Sequence, residues 1–306
     1  MRNNVLLELL KDRGVVLFDS ALGTALIDIG LPAGTRSETA NTQYPEALKK
    51  IHKDNVDAGS DVITSNTFGV SPLLACGIRD GNFEEGLAIL RAGMECAREV
   101  ADSSDKQILV ALGIGPTGCV VELSDDLSHE EAIRIFAAQV KEGEAAGADL
   151  IIIETMSDLE ELKDAVSAAV DSCDLPVVCT MTFGESGRSF MGADPASFAR
   201  IAEEMGAAAV GANCTLAPAD IIDVVKSIAE ATSLPVIVQP NAGRPVVRDG
   251  KQTFEIDPDV FAADAAALAD AGAVMIGGCC GTTPKEISLL KNILITNSKR
   301  RERQAL

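Results

Sequence analysis

The sequence predicts an α/β protein, a single-domain (β/α)8 TIM barrel. Eight short, continuously apolar runs recur along its 306 residues, the pattern of strands buried on both faces of a parallel sheet. Segments with helical spacing and alanine-rich faces separate them. The first run is not followed by a Gly-x-Gly-x-x-Gly turn, which favours closure into a barrel over an open doubly wound sheet.

In chain order, the apolar run at 15–18 ends at Asp19, and that at 61–64 ends at Ser65 and Asn66. Runs follow at 108–112, at 150–153 ending at Glu154, and at 176–181 ending at Thr182. The last three are 208–211 before Asn213 and Cys214, 235–239 before Pro240 and Asn241, and 273–276 before Gly278 and Cys279. Helices are expected at 45–58, 84–101, 129–146, 158–171, 195–205, 219–231, 258–271 and 284–295. Ser128, Asp194-Pro195, Pro218 and Thr283-Pro284 mark starts, as cap residues or first-turn prolines. Gly59, Gly147, Gly206 and Gly272 mark helix ends before the next strand. Residues 30–41, 184–192 and 243–253 break the pattern as long loops after strands one, five and seven, on the C-terminal face where barrel active sites lie. No internal boundary interrupts 1–306; the barrel core is expected over about 14–295, with 297–306 a solvated polar tail.

Composition narrows the function. A net charge of −20 argues against nucleic acid or an anionic membrane as partner. Trp is absent and there is one Tyr, so base-stacking platforms are not expected. Residues 1–13 lack a signal-peptide core and no stretch approaches a membrane span, so the protein reads as cytoplasmic, with its eight cysteines reduced.

A barrel gathers its strand ends into one mouth, and here those ends carry Asp19, Asn66, Thr67, Glu154, Cys214, Asn241, Cys279 and Cys280; Asp19, Ser20, Asn66, Thr67, Glu154 and Asn241 are the expected substrate contacts. Thiolates are soft donors that suit zinc, and three protein ligands leave a fourth position for substrate. Adjacent cysteines reach one ion only if the chain turns between them, which the glycines flanking Cys279-Cys280 permit. That pair reads as a metal site, whereas Cys214 taken alone fits a buried structural cysteine better. Cys76, Cys96, Cys119, Cys173 and Cys179 lie in helices, a loop or mid-strand and are not expected to be ligands. Asp19 and Glu154 are each able to accept from a substrate ammonium; the alternative is a helix cap or ion pair, and for Glu154 the better-placed cap is Asp158. His52 and His129 fall within helices and read as surface or packing residues.

The chain resembles the homocysteine S-methyltransferase family from about Gly14 to Ile295. The motifs are Asp19-Ser20-Ala21-Leu22-Gly23-Thr24, Asn66-Thr67-Phe68-Gly69, Glu154-Thr155-Met156, Gly211-Ala212-Asn213-Cys214, Gln239-Pro240-Asn241-Ala242-Gly243 and Gly278-Cys279-Cys280-Gly281-Thr282-Thr283. The resemblance implies that Cys214, Cys279 and Cys280 bind one catalytic Zn2+ and that Glu154 and the turn at Asp19 and Ser20 hold the amino-acid end of homocysteine. It implies an S-methyltransferase that presents a thiol, homocysteine or a close analogue, as a zinc thiolate to a methyl donor. Residues 38–41, Asn66–Gly69 and Glu154–Met156 fit the corrinoid-linked subgroup best, so the expected donor is a methylcorrinoid protein on another chain. Alternatives are demethylation of a substrate onto such a protein, and a non-catalytic zinc-binding scaffold. Ser20 stands where the family usually has glycine, and Val70-Ser71-Pro72 where relatives commonly read Ala-Asn-Arg, differences that bear on which thiol is accepted. In the absence of substrate, water or the Asn241 side-chain oxygen is expected at the fourth zinc position.

Overall fold

The computed structural model describes residues 5–32, 34–119, 127–248 and 251–304. The barrel strands are β1 (Val16–Leu17), β2 (Val62–Thr64), β3 (Leu109–Ile114), β4 (Leu150–Met156), β5 (Val177–Met181), β6 (Ala209–Asn213) and β7 (Val236–Gln239). A hairpin, β8 (Val246–Arg248) and β9 (Lys251–Thr253), precedes the eighth barrel strand, β10 (Ala273–Ile276). The eight barrel strands run in the order β1-β10-β7-β6-β5-β4-β3-β2, every pairing parallel, and all eight coincide with the expected runs.

Both faces of these strands are buried, which explains why they read as continuous apolar runs. Val16, Phe18, Leu109, Ala111, Leu150, Ile152 and Val178 pack together as one cluster. Their neighbours Leu17, Val110, Leu112, Ile151, Ile153 and Cys179 belong to a second, larger cluster with the surrounding helices. The first cluster also takes in Leu6 and Leu9 from the helix Val5–Arg13, which plugs the barrel. Cys179 therefore faces the helices, and burial pushes its thiol well above the ordinary range.

The seam between β1 and β2 is closed largely by side chains. Asp61 donates its backbone N–H to the Leu17 carbonyl at 2.7 Å and accepts from the Leu17 N–H at 3.0 Å through its carboxylate. Asp19 accepts from the Thr64 N–H at 2.8 Å and from the Thr64 hydroxyl at 3.1 Å.

Helix signals hold where the chemistry is local. Ser128 forms a reciprocal capping box with Glu131, and Asp158 caps the helix Leu159–Ser172 as expected. Gly59, Gly147, Gly206 and Gly272 all have φ between 91° and 112°, the left-handed turn at which a side chain is strained. Other expectations are corrected. The helices Leu22–Asp28 and Ala40–Gln43 border and cut into the expected loop at 30–41, and Val70–Asp80 is a helix with Pro72 in its first turn, where proline is tolerated. The final helix extends to Gln304, through residues read as a frayed tail. Residues 249–250 of the expected loop at 243–253 lie outside the described residues. Among the described residues no helix is long and apolar enough to cross a membrane.

His52 is a packing residue of the helix Pro45–Ala58, fully buried with neither ring nitrogen hydrogen-bonded among the described residues. Burial alone lowers its pKa to about 4. Between that value and the ordinary 6.5 the unfolded chain binds a proton that the native state refuses, so His52 makes stability fall as pH drops through this window. In urea unfolding, the advantage of His52→Leu over wild type should grow by roughly 2 kcal/mol between pH 7 and pH 5. Parallel pH profiles for the two proteins would refute it.

Candidate metal and substrate site

The three cysteines singled out in the sequence converge at the barrel mouth. Their Sγ atoms all lie within 4.8 Å of one another, with Cys214 and Cys280 at 3.9 Å. A tetrahedral zinc with bonds of about 2.3 Å requires sulfurs about 3.8 Å apart, so the cluster is close to ligand spacing before any ion is placed. Cys214 follows β6 in a left-handed turn, with φ of 64° at Cys214 and 57° at Thr215. With Thr155, at 61°, these are the only described non-glycine residues with positive φ, so the backbone strain of the molecule gathers at this mouth. The Cys214 thiol is pulled down because Cys279 and Cys280 donate to it, and Cys279 and Cys280 are pushed up for the converse reason and by burial. The three sulfurs thus share their protons and cannot all ionise without a cation between them.

Asn241 sits beside them. Its side chain helps to lower the pKa of the Cys214 thiol, while its Oδ1 is buried with no partner among the described residues. Three converging thiols and one orphaned neutral oxygen form a donor set that fits zinc.

Below the mouth lies a cleft of about 320 Å3 lined by the three cysteines, Asp19, Ser20, Asn66 and Glu154 among others. No described Lys, Arg or His lines it. Among the described residues Glu154 accepts one long hydrogen bond, from Asn213 Nδ2 at 3.5 Å. Burial, then the nearby charges of Asp19 and Cys214, push its pKa up to about 8. Asp19 is pushed up to about 7 by burial, against the lowering effect of its bonds from Thr64. Ser20 reaches the wall of the cleft, but its backbone N–H and hydroxyl both donate to Asn55 Oδ1, at 2.9 and 2.8 Å. Asn66 spends its amide on the Ser37 carbonyl and Asn41 Oδ1.

Two expected substrate contacts are not brought to this cleft. Thr67 is wholly buried, with its hydroxyl donating to the Gly113 carbonyl at 2.7 Å. Asn241 lies on the far side of the cysteines, in a neighbouring cavity. Neither His52 nor His129 lines the cleft; His129 Nδ1 is 2.6 Å from Asp164. Conversely, sequence reasoning gave no role to Asn213, which locks the strained Thr155 turn beside Glu154. Its Oδ1 accepts from the Thr155 N–H at 2.9 Å and the Thr180 hydroxyl at 2.8 Å, and its Nδ2 donates to Thr155 Oγ1 at 2.7 Å. The clue was its place at the strand end, one residue before Cys214. Gln239 and Phe68 also line the cleft and were passed over.

Comparison with known proteins agrees with this architecture. A family model described as homocysteine S-methyltransferase matches residues 16–294. The chain is 32% identical to methionine synthase of Mycobacterium tuberculosis (strain ATCC 25618 / H37Rv) over 321 aligned positions, covering 98% of this chain and 26% of that protein. It is 29% identical to methionine synthase of Mycobacterium leprae (strain TN), covering 92% of this chain and 24% of the relative. The chain thus spans about a quarter of the length of these curated relatives. The metallated form of the homocysteine methyltransferase MmuM from Escherichia coli superposes with a TM-score of 0.79 at 24% identity, covering 95% of this chain and all of that one. At that identity the likeness concerns the fold.

Proposed function

Since the chain belongs to the homocysteine S-methyltransferase family, we propose that it methylates an amino-acid thiol, homocysteine or a close analogue, and that it does so with one zinc held by Cys214, Cys279 and Cys280. The observation that carries this reading is the pairing of three converging thiols with two carboxylates, Asp19 buried and Glu154 half-buried, in one cleft that no described basic residue lines. Such a cleft is incomplete without cations. A metal ion answers the thiols, and a substrate ammonium answers Glu154 and Asp19.

Zinc, when bound, supplies a Lewis acid that lowers the pKa of a coordinated thiol far below its free value near 8.5. The chain's own residues do the rest. Glu154 and Asp19 accept from the ammonium and so fix the distance from the amino-acid end to the sulfur. Asn213 holds the Thr155 turn and with it the direction of Glu154. Ser20, tied to Asn55, holds the turn that carries Asp19. No base is needed at the sulfur, in keeping with a cleft that no described histidine lines. Asn241 would help hold the metal at rest through a weak neutral oxygen. A methylcorrinoid protein is the donor this reading favours, supported by relatives named methionine synthase.

Three outcomes are expected. Cys280→Ala should lose zinc affinity by at least tenfold in chelator competition while keeping its far-UV circular dichroism; wild-type affinity in that variant would remove Cys280 from the ligand set. Asn241→Ala should keep zinc but change the X-ray absorption edge only when thiol is absent, and an unaltered resting edge would give the fourth position to water. Glu154→Gln should raise KM for homocysteine tenfold or more with little change in kcat, and barely affect a thiol lacking the amino group, because uniform binding is lost. Equal loss of kcat with both thiols would make Glu154 part of the chemistry.

A further inference from the structure

The turn after β2 shows the cleft one apolar side chain. Asn66 spends both of its amide hydrogens, on the Ser37 carbonyl and on Asn41 Oδ1, each at 2.7 Å. The Thr67 hydroxyl is engaged by Ser65 Oγ and the Gly113 carbonyl, and the Gly69 N–H donates to the buried Glu38 at 2.7 Å. Among them stands Phe68, 39% exposed and the only described aromatic residue that lines the cleft. We propose that Phe68 is a specificity wall, which admits a free amino-acid thiol and excludes one extended through its carboxyl group as a peptide, and that Ser71 and Gln139 are positioning residues that hold its ring. The inference rests on the cleft being the thiol site.

Around the barrel, the turn after β2 lies between Asp19, past β1, and Glu154, near the end of β4. The strand that leads to Cys214, β6, is four strands from β2 in the sheet order, on the far side of the mouth. Gly113 joins this wall to Glu154: a Cβ on it would fall 3.2 Å from Glu154 Oε1, and its carbonyl holds Thr67. On the proposed reading, an amino-acid thiol has its sulfur at the cysteines and its ammonium at Asp19 and Glu154. The remaining group on the α-carbon, the carboxyl, then lies on the side of the cleft where Phe68 forms the rim. A free carboxylate ends short of the ring, whereas a further residue joined to it by a peptide bond runs into it.

The ring is held from behind. It lies on Gly115, where a Cβ would fall 2.6 Å from two ring carbons, and the Gly115 N–H donates to the Phe68 carbonyl at 3.3 Å. The Gly115 carbonyl accepts from the Ser71 hydroxyl at 2.7 Å, and Ser71 Oγ accepts from Gln139 Nε2 at 3.1 Å. Ser71 and Gln139 are wholly buried, on the helices Val70–Asp80 and His129–Ala145, and neither lines the cleft. Buried polar groups are held to the geometry that satisfies them, because leaving them unpaired is costly. The pair thereby fixes Gly115, and Gly115 fixes how far the ring stands into the cleft.

The test compares calorimetric Kd values of the zinc-loaded protein for homocysteine and for homocysteinylglycine, a dipeptide that keeps the ammonium and the thiol. Wild type should favour homocysteine by about tenfold or more. Phe68→Ala should bring that preference below about threefold, chiefly by binding the dipeptide more tightly, while Phe68→Trp should keep it. Ser71→Ala and Gln139→Met should each lower the preference to an intermediate value, and Ser71→Thr, which retains the hydroxyl, should keep it at the wild-type value. Equal affinity of wild type for the two ligands, or an unchanged preference in Phe68→Ala, would overturn the wall and leave the thiol site standing. Equal weakening of both ligands in Ser71→Ala and Gln139→Met would reduce these residues to packing and overturn their positioning role. Wild-type protein that binds neither ligand would overturn the thiol reading, and the wall with it.

Discussion

The end of β7 carries no cysteine, yet the cysteine turns on both sides depend on it. The Gln239 carbonyl accepts from the Cys214 N–H at 2.9 Å, and the Pro240 carbonyl accepts from the Cys279 N–H at 2.8 Å. Ala242 closes the arrangement by donating to the Cys280 carbonyl at 2.9 Å. Three residues of one strand end thereby set the spacing of three sulfurs that come from two other strands. The neighbouring backbone is drawn in to match. A Cβ on Gly211 of β6 would sit 1.7 Å from the Ile237 carbonyl of β7, so only glycine allows the strand that leads to Cys214 to lie this close. Main-chain hydrogen bonding thus positions the thiol cluster.

The carboxylates of the cleft are placed by a different device. Asp19 does double duty: its oxygens close the β1–β2 seam through Thr64, and it lines the cleft. The wall of the cleft is therefore part of the joint that makes the barrel continuous. Asp61 performs the corresponding task at Leu17, away from the cleft, and the two together replace ladder bonds that strands as short as β1 and β2 do not form.

What the sequence made legible follows from this geometry. Barrel strands are buried on both faces, so their apolar runs stand out, and residues just past them fall at the mouth whatever the details. That logic places Cys214, Cys279, Cys280, Asp19 and Glu154 at the mouth, whereas Cys214 enters the candidate ligand set only through the family resemblance. Thr67 shows its limit: strand-end position does not say which way a side chain turns, and its hydroxyl was taken by the Gly113 carbonyl. Asn213 is the opposite case, a polar residue whose work depends on a strained turn two strands away. The helix Val70–Asp80 was hidden because Pro72 and Gly77 look like breakers, although proline is harmless in a first turn and Gly77 is packed against the backbone of Phe83. Asp249-Gly250, a hairpin signal, stood unused between β8 and β9.

Electrostatics joins the sulfurs to the carboxylates. Glu154 is raised first by burial, but Asp19 and Cys214 raise it further, so negative charge on the thiols opposes ionisation of the group that is to meet an ammonium. In a cleft lined by no described basic residue, nothing in the chain offsets that charge. On the proposed reading, a dication held by the three thiols would cancel thiolate charge near Glu154, so the Glu154 carboxylate would ionise more readily and accept from a substrate ammonium. The amino-acid end and the sulfur end of the cleft are coupled through space, and a thiol without an amino group would use only half of that coupling.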